Sequence, residues 1–422
     1  MRPSPRYAFC ADDFTGATDT LATAAQAGLR ARLYLDAPPP AQLEADGEPE
    51  VVGIATAARS LAPEAMAQVL EPVGRTLARL GIPVLHYKTC STFDSAPRVG
   101  SIGAAVLLLR KFVADEFVPI VGGQPNLRRY CLFGNLYAAA GANGEVHRID
   151  RHPTMSRHPV TPMHEADLRL HFDAQSLTGV RSVDYTRYRH PIEDLRGTVL
   201  FDVGAAEDLA VIGRLIWRRA RQARLLAVGP SSVAQALIAA WTEEGSLGAA
   251  SRAPAAGPAR GPVFMLSGSL SPVTAEQIRL ASSYAKVMLD AARLASGETG
   301  YAIQAARRCV ELLRSGRHVL AHTSHEPTVN RDGALIAMIC GQILSAVLRE
   351  APLSRVGVSG GDTSSHAVKA LGIDSLSYAA QLVEGVALCR VHAQASRLDG
   401  MELMLKGGQM GPPSVFERLI SP

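Results

Sequence analysis

Residues 355–371 read RVGVSGGDTSSHAVKAL, and this stretch predicts how the C-terminal part of the chain folds. A short apolar run, Arg355–Ser359, leads directly into two glycines, and Thr363–Leu371 has the composition of a helix. Glycines let backbone amides approach a ligand closely, and a helix N-terminus carries unpaired N–H groups and positive potential. The segment therefore predicts a phosphate-binding turn at the carboxyl end of a strand. A helix capped by Asp362 or Thr363 is the alternative.

The same order of strand, loop and helix recurs along the whole chain. Short buried runs predict strands at Tyr7–Ala11, Val51–Ala55, Val84–Tyr87, Val118–Val121, Val199–Asp202, Leu225–Val228, Val263–Ser267, Lys286–Leu289 and His318–His322. Strands that alternate with helices form mostly parallel sheets with helices on both faces. We expect an α/β protein with two α/β domains, each with a mostly parallel sheet, and an active site in the cleft between them.

A segment rich in Gly, Ala, Ser and Pro, residues 244–262, interrupts this alternation. Its prolines bias the preceding residues away from helix, so we predict a linker, with a long surface loop as the alternative. The predicted domains are then residues 1–243 and 263–422. Two domains also suit the length of 422 residues, because single cores stop growing at roughly 250–300 residues.

The composition is that of a globular protein, with 47% hydrophobic and 19% charged residues and a net charge of +4. No run of lysine and arginine stands out, which argues against nucleic acid as a partner. The six cysteines show no C-x-x-C spacing, and the N-terminus has no apolar signal-like region. The sequence contains no stretch of about 18 uncharged apolar residues, so we expect no membrane helix. The expected location is the cytoplasm, without a membrane partner.

Two further glycine-containing loops follow predicted strands in the C-terminal domain. Residues 264–274 read FMLSGSLSPVT, in which Pro272 and Thr274 suit a helix start, and residues 405–411 read LKGGQMG. A serine hydroxyl or a lysine beside glycines can contact an anion. Taken alone, the serine loop is better explained by a capped turn, and a solvated turn is an equally reasonable explanation of the lysine loop. Three such loops in one α/β domain can converge on one ligand.

Acidic and basic side chains follow predicted strands of the N-terminal domain. Asp12 and Asp13 come directly after the first strand, and adjacent carboxylates there are costly unless they bind donors, a cation or hydroxyls. Strand geometry points neighbours in opposite directions, so one carboxylate can cap the following helix. Residues 87–100, YKTCSTFDSAPRVG, supply further cations and carboxylates, as does Arg59. Either a carboxylate-binding site or a surface salt-bridge set fits this pattern.

Together these segments resemble the four-carbon acid sugar kinase family, whose members phosphorylate tetronates such as threonate, erythronate and 3-oxo-tetronates with ATP. The matching pieces occur in the family's order: ADDFTGATD (11–19), KTCSTFDSAPR-x-G (88–100), SGSLSPVT (267–274), SGGDT (359–363) and KGGQMG (406–411). Many members read DSTLRGN where this chain reads DSAPRVG at 94–100. This departure leaves open an acid other than a tetronate.

The resemblance implies a sugar-acid kinase of carbohydrate metabolism that uses ATP and Mg²⁺. It assigns the acid-binding side to Asp12, Asp13, Arg59, Lys88, Asp94, Ser95 and Arg98. It assigns the ATP-binding side to Ser267, Gly360, Gly361, Asp362, Thr363 and Gly407. We expect the acid's carboxylate on Arg59, Lys88 and Arg98, and its hydroxyls on the three N-terminal carboxylates.

For catalysis we favour Asp13 or Asp362, either orienting the acceptor hydroxyl or holding Mg²⁺, and the sequence leaves these roles and the metal ligands open. The rival hypothesis is a non-catalytic sensor of sugar acids or nucleotides built on the same two domains. A kinase for a different small acid is the other alternative. The oligomeric state is also open, a homo-oligomer included.

Overall fold

The computed structural model describes residues 5–141, 144–158, 160–193, 195–247, 255–296, 298–323, 333–394 and 396–422. The chain divides into two compact units, Met1–Arg252 and Ala253–Pro422, called unit 1 and unit 2. Part of the predicted linker, residues 248–254, lies outside the described residues.

Unit 1 is built on a parallel sheet with helices between its strands. Its strands are β1 Tyr7–Ala11, β2 Ala31–Tyr34, β3 Val51–Ala55, β4 Val84–Lys88, β5 Val118–Val121, β6 Arg129–Leu132, β7 Asn135–Ala139, β8 Val146–Arg148, β9 Arg181–Val183, β10 Thr198–Phe201 and β11 Leu225–Gly229. Its α-helices are α1 Phe14–Gln26, α2 Pro40–Ala45, α3 Pro63–Arg79, α4 Ile102–Leu109, α5 Leu168–Asp173, α6 Ala206–Ala220 and α7 Ser232–Glu243. Short 3₁₀ turns lie at Ala58–Ser60, Arg110–Phe112, Pro125–Leu127, Ile149–Arg151, Met155–Arg157 and Tyr185–Arg189.

The strands of unit 1 follow the spatial order β2-β3-β1-β4-β11-β5-β10-β9, and each neighbouring pair is parallel. From β1 the chain crosses to β2 on one side, whereas from β4 it crosses to β5 on the other. The carboxyl ends of β1 and β4 therefore form a topological switch point, where open α/β sheets bind ligands. A separate antiparallel sheet, β6-β7-β8, is present that the sequence did not predict.

Apolar faces of the helices cover the sheet of unit 1. In α3, Met66, Leu70, Val73 and Leu77 recur at helical spacing and are buried, and the hydrophobic cluster continues through the apolar residues of β1, β3, β4 and β5. Burial on both faces explains why these strands read as continuous apolar runs instead of alternating ones.

The strands of unit 2 are arranged in mixed parallel and antiparallel pairs. Its strands are β12 Val263–Ser267, β13 Tyr284–Leu289, β14 His318–Thr323, β15 Arg355–Ser359, β16 Ser375–Val383, β17 Val386–His392 and β18 Glu402–Lys406. Its helices are α8 Pro272–Leu280, α9 Ala291–Ala295, α10 Thr299–Arg314, α11 Gly333–Glu350, α12 Gly361–Leu371 and α13 Val415–Ile420. The order is β13-β14-β12-β15-β18-β17-β16, parallel as far as β18 and antiparallel after it.

One helix of unit 2, α11, has the length and composition of a membrane span, with a mean hydropathy of 1.4. The sequence pattern predicted no such segment. Eight residues of α11 are nevertheless buried within the structure, among them Ile339, Ile343 and Val347. Core helices of folded proteins meet the same criterion, so α11 is weak support for a membrane span.

The mostly parallel α/β architecture is the predicted fold class, which the structure confirms.

Candidate active site

Most acidic and basic residues singled out in the N-terminal sequence meet at the carboxyl ends of β3, β1 and β4. Asp12 and Asp13 follow β1, Arg59 lies in the 3₁₀ turn after β3, and Lys88 is the last residue of β4. The side chains of Asp12, Asp13 and Lys88 are almost fully buried. This edge is the switch point of the unit 1 sheet.

Arg59 is the centre of this cluster. Its Nη2 lies 2.9 Å from Asp12 Oδ1 and 3.0 Å from Asp13 Oδ1, and its Nε donates to Asp12 Oδ2 at 3.3 Å. Its Nη1 lies 3.9 Å from Asp94 Oδ2. The backbone holds the arginine in place, because Arg59 N donates to Asp12 O at 3.0 Å. Three carboxylates therefore surround one guanidinium.

Gly100 explains how the loop 88–100 fits against this arginine. Its φ is +60°, and a Cβ there would lie 2.4 Å from the carbonyl oxygen of Arg59. Only glycine tolerates both this backbone conformation and this approach. The glycine that ends the KTCSTFDSAPR-x-G motif therefore lets the backbones of its own loop and of the Arg59 turn come together.

The two adjacent carboxylates have different roles, as their opposite strand orientations predict. Asp13 caps α1, because its Oδ1 accepts from Gly16 N at 3.0 Å and its Oδ2 accepts from Thr15 Oγ1. Asp12 instead forms the two-point contact with Arg59. Lys88 Nζ lies 3.9 Å from Asp13 Oδ1, so a second cation reaches the cap of α1.

The charges of the cluster shift its pKa values in opposite directions. Burial raises the pKa of Asp12, and the neighbouring Asp13 charge raises it further against the pull of Arg59. Burial also opposes ionisation of Asp13, but Arg59, Lys88 and the hydrogen bonds from Thr15 and Gly16 lower its pKa below the ordinary value. Asp13 is therefore held as a carboxylate, and Asp12 is the easier of the two to protonate.

The loop after β4 brings a third carboxylate to the cluster. Asp94 accepts a hydrogen bond from Thr92 Oγ1, and its pKa lies below the ordinary value because Arg59 and His158 outweigh the effect of burial. Ser95 faces a different set of partners, since its Oγ lies 2.8 Å from both His171 Nε2 and Gln175 Nε2. Burial lowers the pKa of His171 to about 4, so this internal network is neutral.

Arg98, like Ser95, is a predicted acid-binding residue that the structure does not bring into the cluster. Its side chain is exposed, and no hydrogen bond or ion pair joins it to another described residue. Its assignment to the acid's carboxylate stays a prediction.

Polar residues that the sequence analysis did not single out extend the same sheet edge. Asp19 Oδ2, on α1, accepts from Gln124 Nε2 at 3.1 Å and from Ser231 Oγ at 2.5 Å. Gln124 follows β5, and Ser231 precedes α7 after β11. Asp19 belongs to the quoted ADDFTGATD motif, and its position six residues after Asp13 in a helix was the available signal.

In unit 2 the three predicted glycine loops follow three neighbouring strands. Ser267 and Ser359 are register partners at the ends of β12 and β15, and Ser359 is in turn the register partner of Lys406 in β18. Backbone hydrogen bonds join the loops, from Gly268 N to Ser359 O at 3.0 Å and from Gly360 N to Lys406 O at 2.8 Å. The structure thus assembles the predicted nucleotide-binding residues of unit 2 at one edge of its sheet.

Close approaches between these loops require glycine. A Cβ at Gly268 would lie 2.1 Å from Thr363 Oγ1, and a Cβ at Gly408 would lie 2.4 Å from Ser269 Oγ. Gly360 has a φ of +116°. A Cβ at Gly361, in contrast, would meet no atom within 4 Å. The first three positions shape the loops, whereas the space beside Gly361 is open for a ligand.

The turn that opened the sequence analysis has the geometry of an anion site. Helix α12 begins at Gly361, and its N-cap residue, Gly360, provides no side-chain cap. The alternative of a helix capped by Asp362 or Thr363 is therefore wrong. Asp362 is exposed in the first turn, and the helix N–H groups there stay available for a ligand.

The Ser267 loop differs, because Ser271 Oγ accepts from Val273 N at 3.2 Å and caps α8. The capped turn that the sequence left open for this loop is present. Ser267 is buried at the end of β12, and its hydroxyl has no hydrogen-bond partner among the described residues.

Lys406, before the last glycine loop, is a buried lysine without a carboxylate partner among the described residues. Its Nζ donates to Gly407 O at 2.8 Å and to Met410 O at 3.1 Å. Burial lowers its pKa to about 7. The ammonium therefore organises the carbonyl oxygens of the loop instead of reaching outward, which corrects the expectation of a direct anion contact from this lysine.

Comparison with known proteins matches the two units to two different domain families. Residues 7–237 match the family of sugar-binding N-terminal domains, and residues 264–416 match the family of nucleotide-binding C-terminal domains. The description of each matching family names the kind of ligand that the sequence predicted for that part of the chain.

Curated relatives match over nearly the whole chain. A 3-oxo-isoapionate kinase of Paraburkholderia graminis is 38% identical, covering 97% of this chain and 93% of its own. A 3-oxo-tetronate kinase of Methylobacterium radiotolerans is 29% identical, with 97% of each chain covered. The protein belongs to the four-carbon acid sugar kinase family, as the motifs predicted, and it is a phosphotransferase.

Solved structures support the fold. The crystal structure of a Salmonella typhimurium LT2 protein superposes with a TM-score of 0.74 at 22% identity, covering 98% of each chain. That of a Haemophilus influenzae protein gives a TM-score of 0.67 at 21% identity, with the same coverage.

Proposed function

We propose that this protein transfers the γ-phosphoryl group of ATP to a hydroxyl of a small sugar acid such as threonate, erythronate or a 3-oxo-tetronate. The buried cluster of unit 1 carries this proposal. Among the described residues, the carboxylates of Asp12, Asp13 and Asp94 form ion pairs with Arg59 and Lys88, so three acidic side chains share two strongly basic ones. Carboxylate oxygens accept hydrogen bonds from hydroxyls, which a sugar acid offers in number.

The relatives define which acids to test first. The 3-oxo-tetronate kinases support a four-carbon acid. The relative at 38% identity makes 3-oxo-isoapionate the second candidate, and the altered 94–100 segment is compatible with such a change of acid.

In unit 2 the proposed ATP-binding residues are Ser267, Gly360, Gly361, Asp362, Thr363 and Gly407. The open space beside Gly361 and the uncapped start of α12 support a phosphate there. Mg²⁺ neutralises phosphate charge in such reactions and needs only one or two protein carboxylates. Asp362 fits this requirement because it is an exposed carboxylate in the first turn of α12.

For the chemical step, phosphoryl transfer depends on positioning and charge neutralisation more than on a strong base. Asp13 is kept ionised by its neighbours, so it can accept a hydrogen bond from the acceptor hydroxyl and orient it. The cytoplasm is the proposed compartment, which the six free cysteines support.

A coupled ADP-release assay tests the proposal across four- to six-carbon sugar acids, with and without Mg²⁺. We expect Mg²⁺-dependent ADP release with one or a few acids. Binding of an acid without ADP release would support the non-catalytic sensor instead.

A further inference from the structure

Arg129 lies in a segment of unit 1 that is hydrogen-bonded to α1, the helix capped by Asp13 of the acidic cluster. It begins β6 directly after the loop that follows β5, and its backbone is fixed to Gln124 by two hydrogen bonds, from Gln124 N to Arg129 O at 2.9 Å and from Arg129 N to Gln124 O at 3.2 Å. The Gln124 side chain in turn donates to Asp19 of α1. This connection holds the Arg129 backbone at the sheet edge that carries the cluster.

The guanidinium of Arg129 is buried without a counter-charge. Its residue is only 7% exposed, its Nη1 donates to Leu127 O, and its Nε has no hydrogen-bond partner. No carboxylate among the described residues forms an ion pair with it. The buried Arg355, in contrast, pairs with Glu402 at 2.6 Å. An unpaired buried cation is costly, so such a group is kept where a ligand supplies the missing charge.

Hydrogen bonds lead from Arg129 through Gln124 to Asp19 in α1, and the N-cap of α1 is Asp13 of the cluster. The charge of Arg129 interacts with Cys90, and Cys90 interacts in the same way with Asp94, Arg59 and Lys88. The two cations inside the cluster are already neutralised by its three carboxylates. A carboxylate ligand would be repelled there but attracted to Arg129.

We propose that Arg129 binds the carboxylate of the sugar acid. A guanidinium offers donors in a planar fork that matches a carboxylate. With the carboxylate on Arg129 and the hydroxyls on Asp12, Asp13 and Asp94, the acid is fixed at two points, which determines the hydroxyl that is presented for phosphorylation. This inference rests on the proposed function, because that function makes the ligand an acid.

Steady-state kinetics of Arg129→Met, with the best acid of the panel, tests it. We expect the KM for the acid to rise about 100-fold, because a buried charge pair is lost. The KM for ATP and the kcat should change much less. Arg129→Lys should recover part of the loss, since it keeps the charge without the fork. Arg110→Met, at an exposed arginine of the 3₁₀ turn Arg110–Phe112, is the control and should behave as wild type.

Thermal unfolding separates ligand binding from a structural role. Without ligand, Arg129→Met should melt at or above the wild-type temperature, because an unpaired buried charge is removed, while the stabilisation by the acid should vanish. A lower melting temperature with an unchanged KM for the acid would overturn the proposal. A raised KM for ATP alone would assign Arg129 to a phosphate and would also overturn it.

Neutral analogues distinguish this inference from the proposed function. Erythritol and threitol carry the hydroxyls of a tetronate without its carboxylate, so wild type should prefer the acids strongly and Arg129→Met should not. If wild type binds an acid but releases no ADP, the kinase proposal fails, yet loss of that binding in Arg129→Met would still support the carboxylate site. No binding of any acid by wild type would overturn both.

Discussion

The Lys88 ammonium occupies the space that a side chain at Gly16 would fill, because a Cβ at position 16 would lie 1.6 Å from Lys88 Nζ. Lys88 closes the sheet edge at the end of β4, and Gly16 lies in the first turn of α1, whose cap is Asp13. The packing of one cation against the start of this helix thus depends on the absence of one methyl group.

Gly16→Ala should therefore abolish most activity in a folded protein. Displacing Lys88 moves a charge in the acid site, and such misplacement can reduce kcat/KM by about 100-fold. The measurement is the ADP-release assay together with circular dichroism. Gly300→Ala is the control, because a Cβ there meets no atom within 4 Å in the first turn of α10. Wild-type activity in Gly16→Ala would show that the Lys88 position does not matter.

Arg59→Met should destabilise unit 1 because it leaves three buried carboxylates with one cation. Breaking a buried ion pair costs about 3–5 kcal/mol of the free energy of unfolding, which urea denaturation at pH 7 measures. The lowered pKa values of Asp13 and Asp94 depend on Arg59, so these groups take up protons more readily in the variant as the pH falls. The difference in the free energy of unfolding between wild type and Arg59→Met should therefore be smaller at pH 5 than at pH 7. Arg98→Met, at an exposed side chain, is the stability control, and an equal loss there would contradict this explanation.

The sequence predicted the strands that bear the site because each is buried on both faces and ends at a turn. The bounds of β1, β3, β5, β12 and β15 agree with the structure. The spatial order of the strands could not be predicted from the sequence. Strand β11 lies between β4 and β5, although more than 100 residues separate β11 from either of them along the chain. The neighbours of β5, and with them the surroundings of Arg129, depend on this order.

The hairpin of β16 and β17, which was not predicted from the sequence, had a local signal. Strands β16 and β17 are joined by Glu384-Gly385, and Gly385 has a φ of +71°, a conformation that glycine supplies at the second central position of a tight turn. Arg129 had no such signal, because no recognisable motif surrounds it and its burial arises from contacts distant in sequence. The acid-site aspartates were found from motifs, but their shared dependence on Arg59 is a tertiary feature.

Gly361→Ala tests whether a phosphate uses the open space at the start of α12. The structure tolerates a methyl group there, so any effect must come from the ligand. We expect the KM for ATP to rise at least about tenfold, because the backbone amides can no longer approach the phosphate. Gly268→Ala should impair the protein for a different reason. A Cβ at position 268 would clash with Thr363 and distort the loops even without ATP. An unchanged KM for ATP in Gly361→Ala would move the phosphate site elsewhere.

Asp362→Asn should lower kcat by about 100-fold with little effect on the KM for the acid, since it removes a charge proposed to hold Mg²⁺. Raising the Mg²⁺ concentration should recover part of the activity. Glu384→Gln, which removes an exposed charge from the β16–β17 turn, is the matched control. Near-normal turnover at every Mg²⁺ concentration would exclude Asp362 from the chemistry.

Lys406→Met tests how the buried ammonium supports the last glycine loop. Burial lowers the pKa of Lys406 to about 7, whereas an unfolded lysine titrates near its ordinary value of 10.5. Between these values the unfolded chain binds a proton that the folded chain does not, so folding becomes more favourable as the pH rises. Relative to Lys406→Met, the free energy of unfolding of wild type should rise from pH 7 to 9, by at most about 1.4 kcal/mol per pH unit.

Urea denaturation at pH 7, 8 and 9 measures this slope. The exposed Lys369, at the end of α12, provides the control, and Lys369→Met should keep the wild-type slope. Lys406→Met should also raise the KM for ATP, because the carbonyl oxygens of Gly407 and Met410 lose the ammonium donor that they share. Parallel stability curves for wild type and Lys406→Met would mean that Lys406 keeps its charge through this range, held by the loop carbonyls more strongly than burial opposes it.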